Sequence, residues 1–135
     1  VEGSALGHNA LAALITRGLA EIARLTVAAG GQRDTPAGLS GLGDLVLTCT
    51  GSLSRNRHVG IELARGRALD DIVAGMKMVA EGVRTTGAAL DLAQRYDVEL
   101  PIATQMAALL DGRIDVRAGL EALMLRRQRS EHESA

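Results

Sequence analysis

A chain of 135 residues with 15 basic and 16 acidic side chains carries a formal charge of −1, and 47% of it is hydrophobic. That length suits one domain with a real core, while near-neutral charge and a single aromatic side chain, Tyr96, argue against a nucleic-acid surface. Cys49 is the only cysteine, which excludes an internal disulfide and suits a reducing, cytoplasmic setting, and no apolar run approaches the roughly 18 residues of a membrane span.

Residues 1–8, with Gly3 and Gly7, read as a lead-in. From Asn9, a candidate N-cap, Leu11, Leu14, Ile15, Gly18, Leu19, Ile22 and Leu25 keep a helical period to about Ala29. Arg17, Glu21 and Arg24 fall on the polar side of that helix, and Gly30-Gly31 ends it. Thr35 followed by Pro36 predicts a cap with Pro at the first helical position, opening one short turn before Gly41. Leu42, Leu45, Val46 and Cys49 recur at i, i+3, i+4 and i+7, one apolar stripe of a short helix. Asp44 and Thr48 share a different face of it. Gly51 and Ser52 punctuate the chain, and Ser54 is a candidate N-cap for a helix that stops at Gly66, with Val59 and Leu63 as its apolar pair.

Leu69 to Ala74 predicts a short helix with an acidic start at Asp70 and Asp71, and Met76 to Val79 an extended link. A longer helix starts at Glu81 or Gly82 and ends at Tyr96, with Val83, Gly87, Leu90 and Ala93 turned inward. After a loop over residues 97–100, Pro101 opens a helix with Ile102, Met106, Leu109 and Leu110 on one face, stopped at Gly112. Asp115 caps a last helix with Val116, Leu120, Leu123 and Met124 inward, and the chain from Arg126 is polar. Gly18 and Gly87, at inward positions, predict close approach of backbones. Every substantial segment has helical period and no alternating pair flanks a hairpin turn, so the predicted fold class is all-α, a multi-helix bundle.

The first turn after Ser54 carries Arg55, Asn56 and Arg57. Cations there oppose the positive helix end, where carboxylates are favoured. The pattern fits either a bound anion, phosphate being the usual guest, or a solvated arginine pair, and spacing alone leaves both open. Asp44 is unusual as a mere surface acid, because its helix is otherwise apolar. Glu81 is explained equally by the dipole of the helix it opens. His8, His58 and His132 lack metal-ligand spacing, and Cys49, on the apolar stripe, reads as a buried inert thiol.

The run Gly41-Leu-Gly-Asp-Leu-Val-Leu-Thr-Cys-Thr50, followed by Ser54-Arg-Asn-Arg57, resembles the signature of the C-terminal domain of bacterial NAD(P)-dependent glycerol-3-phosphate dehydrogenase. Asn9 to Glu21 resembles that family's long first helix, Val79 to Thr86 its cofactor-side segment, and Val98 to Ile102 its last inter-helix link, all in the family's order. The resemblance implies a bundle of the glycerol-3-phosphate and 6-phosphogluconate dehydrogenase C-terminal-domain type, with residues 1–135 as a single substrate-binding domain. It implies substrate binding by Asp44, Ser54, Arg55 and Asn56, and cofactor binding by Arg55, Val79 and Glu81. Thr48 joins the substrate group on geometric grounds, one turn from Asp44. The implied reaction is reversible reduction of dihydroxyacetone phosphate to glycerol 3-phosphate with NAD or NADP, for glycerophospholipid synthesis.

The family's dinucleotide-binding half has no counterpart here, since no G-x-G-x-x-G follows a strand. Its proton-accepting lysine falls upstream of the segment matching residue 1, and a second substrate lysine lies further upstream. Lys77, the one lysine present, matches neither, and Leu11 stands where the family's first helix commonly has a lysine. No catalytic residue is therefore expected in this chain, no activity is expected of it alone, and Val1-Glu-Gly-Ser reads as the start of a piece cut from a longer protein. The implied partners are the phosphorylated substrate pair and the dinucleotide-binding half, with no nucleic acid and no membrane. An apolar face left by the missing half predicts self-association, a homodimer being one form. Two rival readings are a related dehydrogenase acting on a hydroxyacid, against which the arginines favour a phosphate, and a stand-alone helical interaction module.

Overall fold

One helix bridges two small apolar clusters, packing on the helix Arg55–Ala64 in one and on the helix Pro101–Leu110 in the other. In the computed structural model, which describes residues 7–50, 54–77 and 80–125, the described residues form α1 (Gly7–Ala28), α2 (Asp44–Thr50), α3 (Arg55–Ala64), α4 (Leu69–Ala74), α5 (Glu81–Arg95), α6 (Pro101–Leu110) and α7 (Val116–Leu125). A 3-10 turn over Thr35–Ala37 and a π turn over Leu39–Gly43 lead into α2. The all-α bundle predicted from periodicity is the fold. Expectations for residues 51–53, Met78, Val79, Arg126 onward and His132 lie outside the described residues.

The first cluster is Val59 of α3, Ile72 of α4 and Ala80, with Leu63, Leu69, Met76 and Val83 packed on it. Ile72 and Val59 are 1% and 3% exposed, each a burial of about 1.5–3 kcal/mol. The second cluster is Ala93 of α5 with Val98 and Leu100, covered by Leu25, Ala89, Leu90 and Ala103. Helix α5 thus contributes Val83 to one cluster and Leu90 and Ala93 to the other. Its middle belongs to neither. Gly87 sits there exposed, with no atom within 4 Å of where a Cβ would lie, so the predicted close approach at Gly87 does not occur. Gly18 meets a side chain, Ile102 Cδ1 at 3.9 Å, and not a second backbone.

The face of α1 bearing Arg17, Glu21 and Arg24 is not a solvated one. Glu21 is buried, and its carboxylate accepts from the N–H groups of Ile102 (2.5 Å) and Ala103 (3.3 Å) at the start of α6. Arg17 donates to the Leu123 carbonyl on α7, and Arg24 to that of Glu99. Helix α6 opens with Pro101 and receives no side-chain cap from Leu100, so its orphan N–H groups need an acceptor from elsewhere. The acid of α1 supplies it.

Other boundaries move by a residue or two. Helix α1 starts at Gly7, leaving Asn9 exposed inside its first turn, and Asp34, not Thr35, holds the cap position before Pro36. Asp115 caps α7 as predicted, its Oδ1 accepting from Ala118 N at 2.8 Å. Met124 is 75% exposed and Met106 37%, against the inward placement predicted. Helix α7 packs chiefly on α6, and one neighbour covers a narrower stripe than the predicted set.

Candidate functional site

The approach to α2 is fixed by Gly41. Within the π turn, Gly43 N–H donates to Gly38 O at 3.3 Å, and a Cβ on Gly41 would lie 1.9 Å from the Pro36 carbonyl oxygen. No side chain fits there, which explains the glycine in the motif. Helix α2 then begins with Asp44, exposed, in the first turn where the helix dipole favours an acid. Its predicted apolar stripe is only half covered. Leu45 and Cys49 are half-buried, while Leu42, Val46 and, off the stripe, Leu47 are 37%, 42% and 69% exposed. Burial pushes the Cys49 thiol above its ordinary pKa, which disfavours the reactive thiolate. Thr48 follows one turn after Asp44, and its side chain lies outside the described set.

Helix α3 begins as its sequence predicts. Ser54 has extended backbone, and its Oγ accepts from Arg57 N–H at 3.2 Å, an N-cap. The first turn carries no acid, and Arg55 and Asn56 are exposed. Arg55 and Arg57 also have partners within the fold. The Oδ1 of Asn56 accepts the N–H of Gly82 at 2.8 Å. Ala80, at the cap position of α5, has no side-chain oxygen to do this, so α3 caps α5 from across the interface. A Cβ on Gly82 would come within 2.8 Å of Asn56 Oδ1 and 3.0 Å of its Cγ. Fixing Oδ1 on Gly82 also fixes the amide, so Nδ2 is the end that Asn56 can offer a ligand.

Glu81, the first residue of α5, is exposed beside this contact. The Asn56–Gly82 bond therefore brings the first turn of α3, which carries Arg55 and Asn56, against the first turn of α5, which carries Glu81. Asp44 and Thr48 stand on a helix that packs on the π turn and α1, whereas α3 packs on α4 and α5. Val79 lies outside the described residues. Two clefts, of about 650 Å³ among α5, α6 and α7 and about 320 Å³ between the α3–α4 and α6–α7 links, are lined by none of these residues.

Sequence reasoning missed two polar anchors. Glu21 could have been found from Pro101, which announces a helix start in need of an acceptor. Glu62 is buried on α3, bound by Arg65 (2.8 Å) and Arg67 (3.0 Å). The hydrogen bond from Arg67, helped by Arg65 and opposed by burial, holds its carboxyl below the ordinary glutamate range. No cluster of three metal-ligating side chains and no helix long and apolar enough to cross a membrane occurs among the described residues.

Residues 1–121 match the family described as NAD-dependent glycerol-3-phosphate dehydrogenase C-terminus. The chain is 61% identical over 132 residues to a glycerol-3-phosphate dehydrogenase (NAD(P)+) of Acidobacterium capsulatum, covering 97% of this chain and 39% of that protein. It is 66% identical over 110 residues to the protein of the same name from Koribacter versatilis, covering 81% of this chain and 33% of that one. A crystal structure of glycerol-3-phosphate dehydrogenase from Coxiella burnetii superposes with a TM-score of 0.88 at 41% identity, covering 93% of this chain and 38% of that one. The chain thus spans about two fifths of the length of such relatives.

Proposed function

The chain belongs to the NAD-dependent glycerol-3-phosphate dehydrogenase C-terminal family, and from that premise we propose that residues 1–135 are the helical substrate-binding domain of an NAD(P)-dependent sn-glycerol-3-phosphate dehydrogenase. The whole enzyme interconverts dihydroxyacetone phosphate and glycerol 3-phosphate in the cytoplasm, for glycerophospholipid synthesis. The observation that carries this reading is the Asn56–Gly82 hydrogen bond. It ties a basic helix start, suited to phosphate, to a helix start bearing an exposed carboxylate, suited to hydroxyl groups.

Each residue has a chemical part. Arg55 offers a planar pair of donors to phosphate oxygens. Ser54 can donate its O–H while its oxygen caps α3, and Asn56 presents Nδ2. Asp44 and Thr48, from α2, complete the substrate side by orienting the hydroxyl that reacts. The residues fit a dinucleotide as well: Glu81 can accept ribose hydroxyls, and the guanidinium of Arg55 can serve a second phosphate group, with Val79 assigned to the cofactor by the family resemblance alone. When bound, the dinucleotide gives or takes the hydride at the carbinol carbon.

Proton transfer needs a group that deprotonates near neutral pH, which arginine does not do. We assign that base to the part of the enzyme that this chain does not cover, the chain spanning about two fifths of its relatives' length, so the role proposed for this chain is to bind and orient substrate and not to turn it over alone. Relatives run about two and a half times its length. We assign the exposed Leu42, Val46 and Leu47 to contact with the dinucleotide-binding half; without it, these side chains favour self-association.

NADH oxidation with dihydroxyacetone phosphate, measured on the full-length protein and on residues 1–135, tests the reading. Turnover by the full-length protein only is the expected result. Turnover by the short chain would overturn the division of labour, and none by either would overturn the function.

A further inference from the structure

We propose that Gly82 is a positioning residue, through which the phosphate-facing start of α3 and the cofactor-facing start of α5 bind their ligands cooperatively. The proposal rests on the function given above and adds a residue with no side chain to it. Four observations converge at this place. Asn56 Oδ1 accepts the Gly82 N–H at 2.8 Å, from a residue 26 positions away in sequence. Ala80 offers α5 no side-chain cap, so this bond serves an N–H that the helix itself cannot satisfy. A Cβ on Gly82 would lie 2.8, 3.0 and 3.3 Å from the three outer atoms of the Asn56 amide, so any larger residue displaces it. The two helices also share an apolar cluster, to which α3 gives Val59 and against which Val83 of α5 packs, so the bond spans an interface that is already packed.

The consequence for binding follows from connectivity. Arg55 and Asn56 are neighbours on α3, and Glu81 and Gly82 are neighbours on α5. Ordering either first turn by a ligand therefore orders the other through one hydrogen bond. A ligand on the α3 side should tighten binding on the α5 side, and the coupling must be reciprocal. Without the bond, both sites persist but become independent.

The test uses the full-length protein with Gly82→Ala, and Gly87→Ala as a matched control on the same helix, where an added Cβ meets nothing within 4 Å. Dissociation constants for glycerol 3-phosphate are measured by calorimetry with and without saturating NAD+. Wild type and Gly87→Ala should show the same tightening by NAD+. Gly82→Ala should bind glycerol 3-phosphate about three- to tenfold more weakly in its presence, with the tightening reduced towards none. Steady-state rates should show a raised KM for dihydroxyacetone phosphate with a smaller change in kcat.

Unchanged coupling in Gly82→Ala would overturn the proposal and leave the function intact, whereas wild type that binds no glycerol 3-phosphate would overturn both. A second measurement needs no variant. Amide exchange at Gly82 in the wild-type protein should slow when glycerol 3-phosphate is added, and an unaltered rate would overturn the coupling even if Gly82→Ala fails to fold.

Discussion

Glu21 on α1 closes the start of α6, its two carboxylate oxygens taking the N–H groups of Ile102 and Ala103. The acid is buried, far in sequence from the helix it serves, and it fixes the first helix of the chain to the sixth. Glu21→Ala would leave two donors without their acceptor in a part-buried site. We expect a loss of about 2–4 kcal/mol, read as a lower urea midpoint at constant m-value. Glu21→Gln retains one acceptor and should lose less. Equal stability of Glu21→Ala and wild type would mean that solvent reaches the start of α6.

Glu62 contributes to the acid limb of stability. Its folded carboxyl titrates below the ordinary value of 4.5 because Arg67 and Arg65 bind it. The stability it contributes is therefore complete above the unfolded value and disappears as pH falls through the lower, folded one. Urea midpoints followed from about pH 6 to about pH 3 should fall more steeply for wild type than for Glu62→Gln. Parallel curves would remove Glu62 from that limb.

Gly41 and Gly87 should respond in opposite directions to the same change. Gly41→Ala forces a Cβ onto the Pro36 carbonyl and should cost about 2–4 kcal/mol, with the π turn displaced. Gly87→Ala adds a methyl in open space inside a helix and should stabilise by about 0.5–1 kcal/mol. Thermal midpoints of the two variants decide both, and a harmless Gly41→Ala would show that the turn is free to re-form.

Cys49 should be slow to alkylate. Half-burial raises its pKa, so the thiolate fraction near neutral pH is below that of a free cysteine. Iodoacetamide should label it several-fold faster after unfolding in guanidinium. Equal rates in the folded and unfolded chain would place the thiol in solvent.

Helix periods made most of the fold legible, because a helix covered on one side must repeat its apolar residues every three or four positions. Ser54 was readable as a cap, and Asp115 likewise, since their partners lie three residues on. Glu21, Glu62 and Asn56 were harder because side-chain spacing cannot reveal which polar groups fold inward onto another element. Gly87 failed for a related reason: periodicity marks the inward face of α5 but not the gap between the two clusters it joins. Of the candidate site, the structure joins the first turns of α3 and α5 through Asn56 and Gly82, a juxtaposition that no spacing in the sequence reveals. Asp44 sits on a helix packed elsewhere, and nothing in its spacing could say how far it stands from Arg55.

The most direct measurement is calorimetric titration of glycerol 3-phosphate into the full-length protein, wild type and Arg55→Ala. If the first turn of α3 holds the phosphate, removing the guanidinium should cost about 2–4 kcal/mol of binding, a loss of about 30- to 1,000-fold in affinity. An affinity unchanged by Arg55→Ala would contradict the assignment and move the phosphate away from α3.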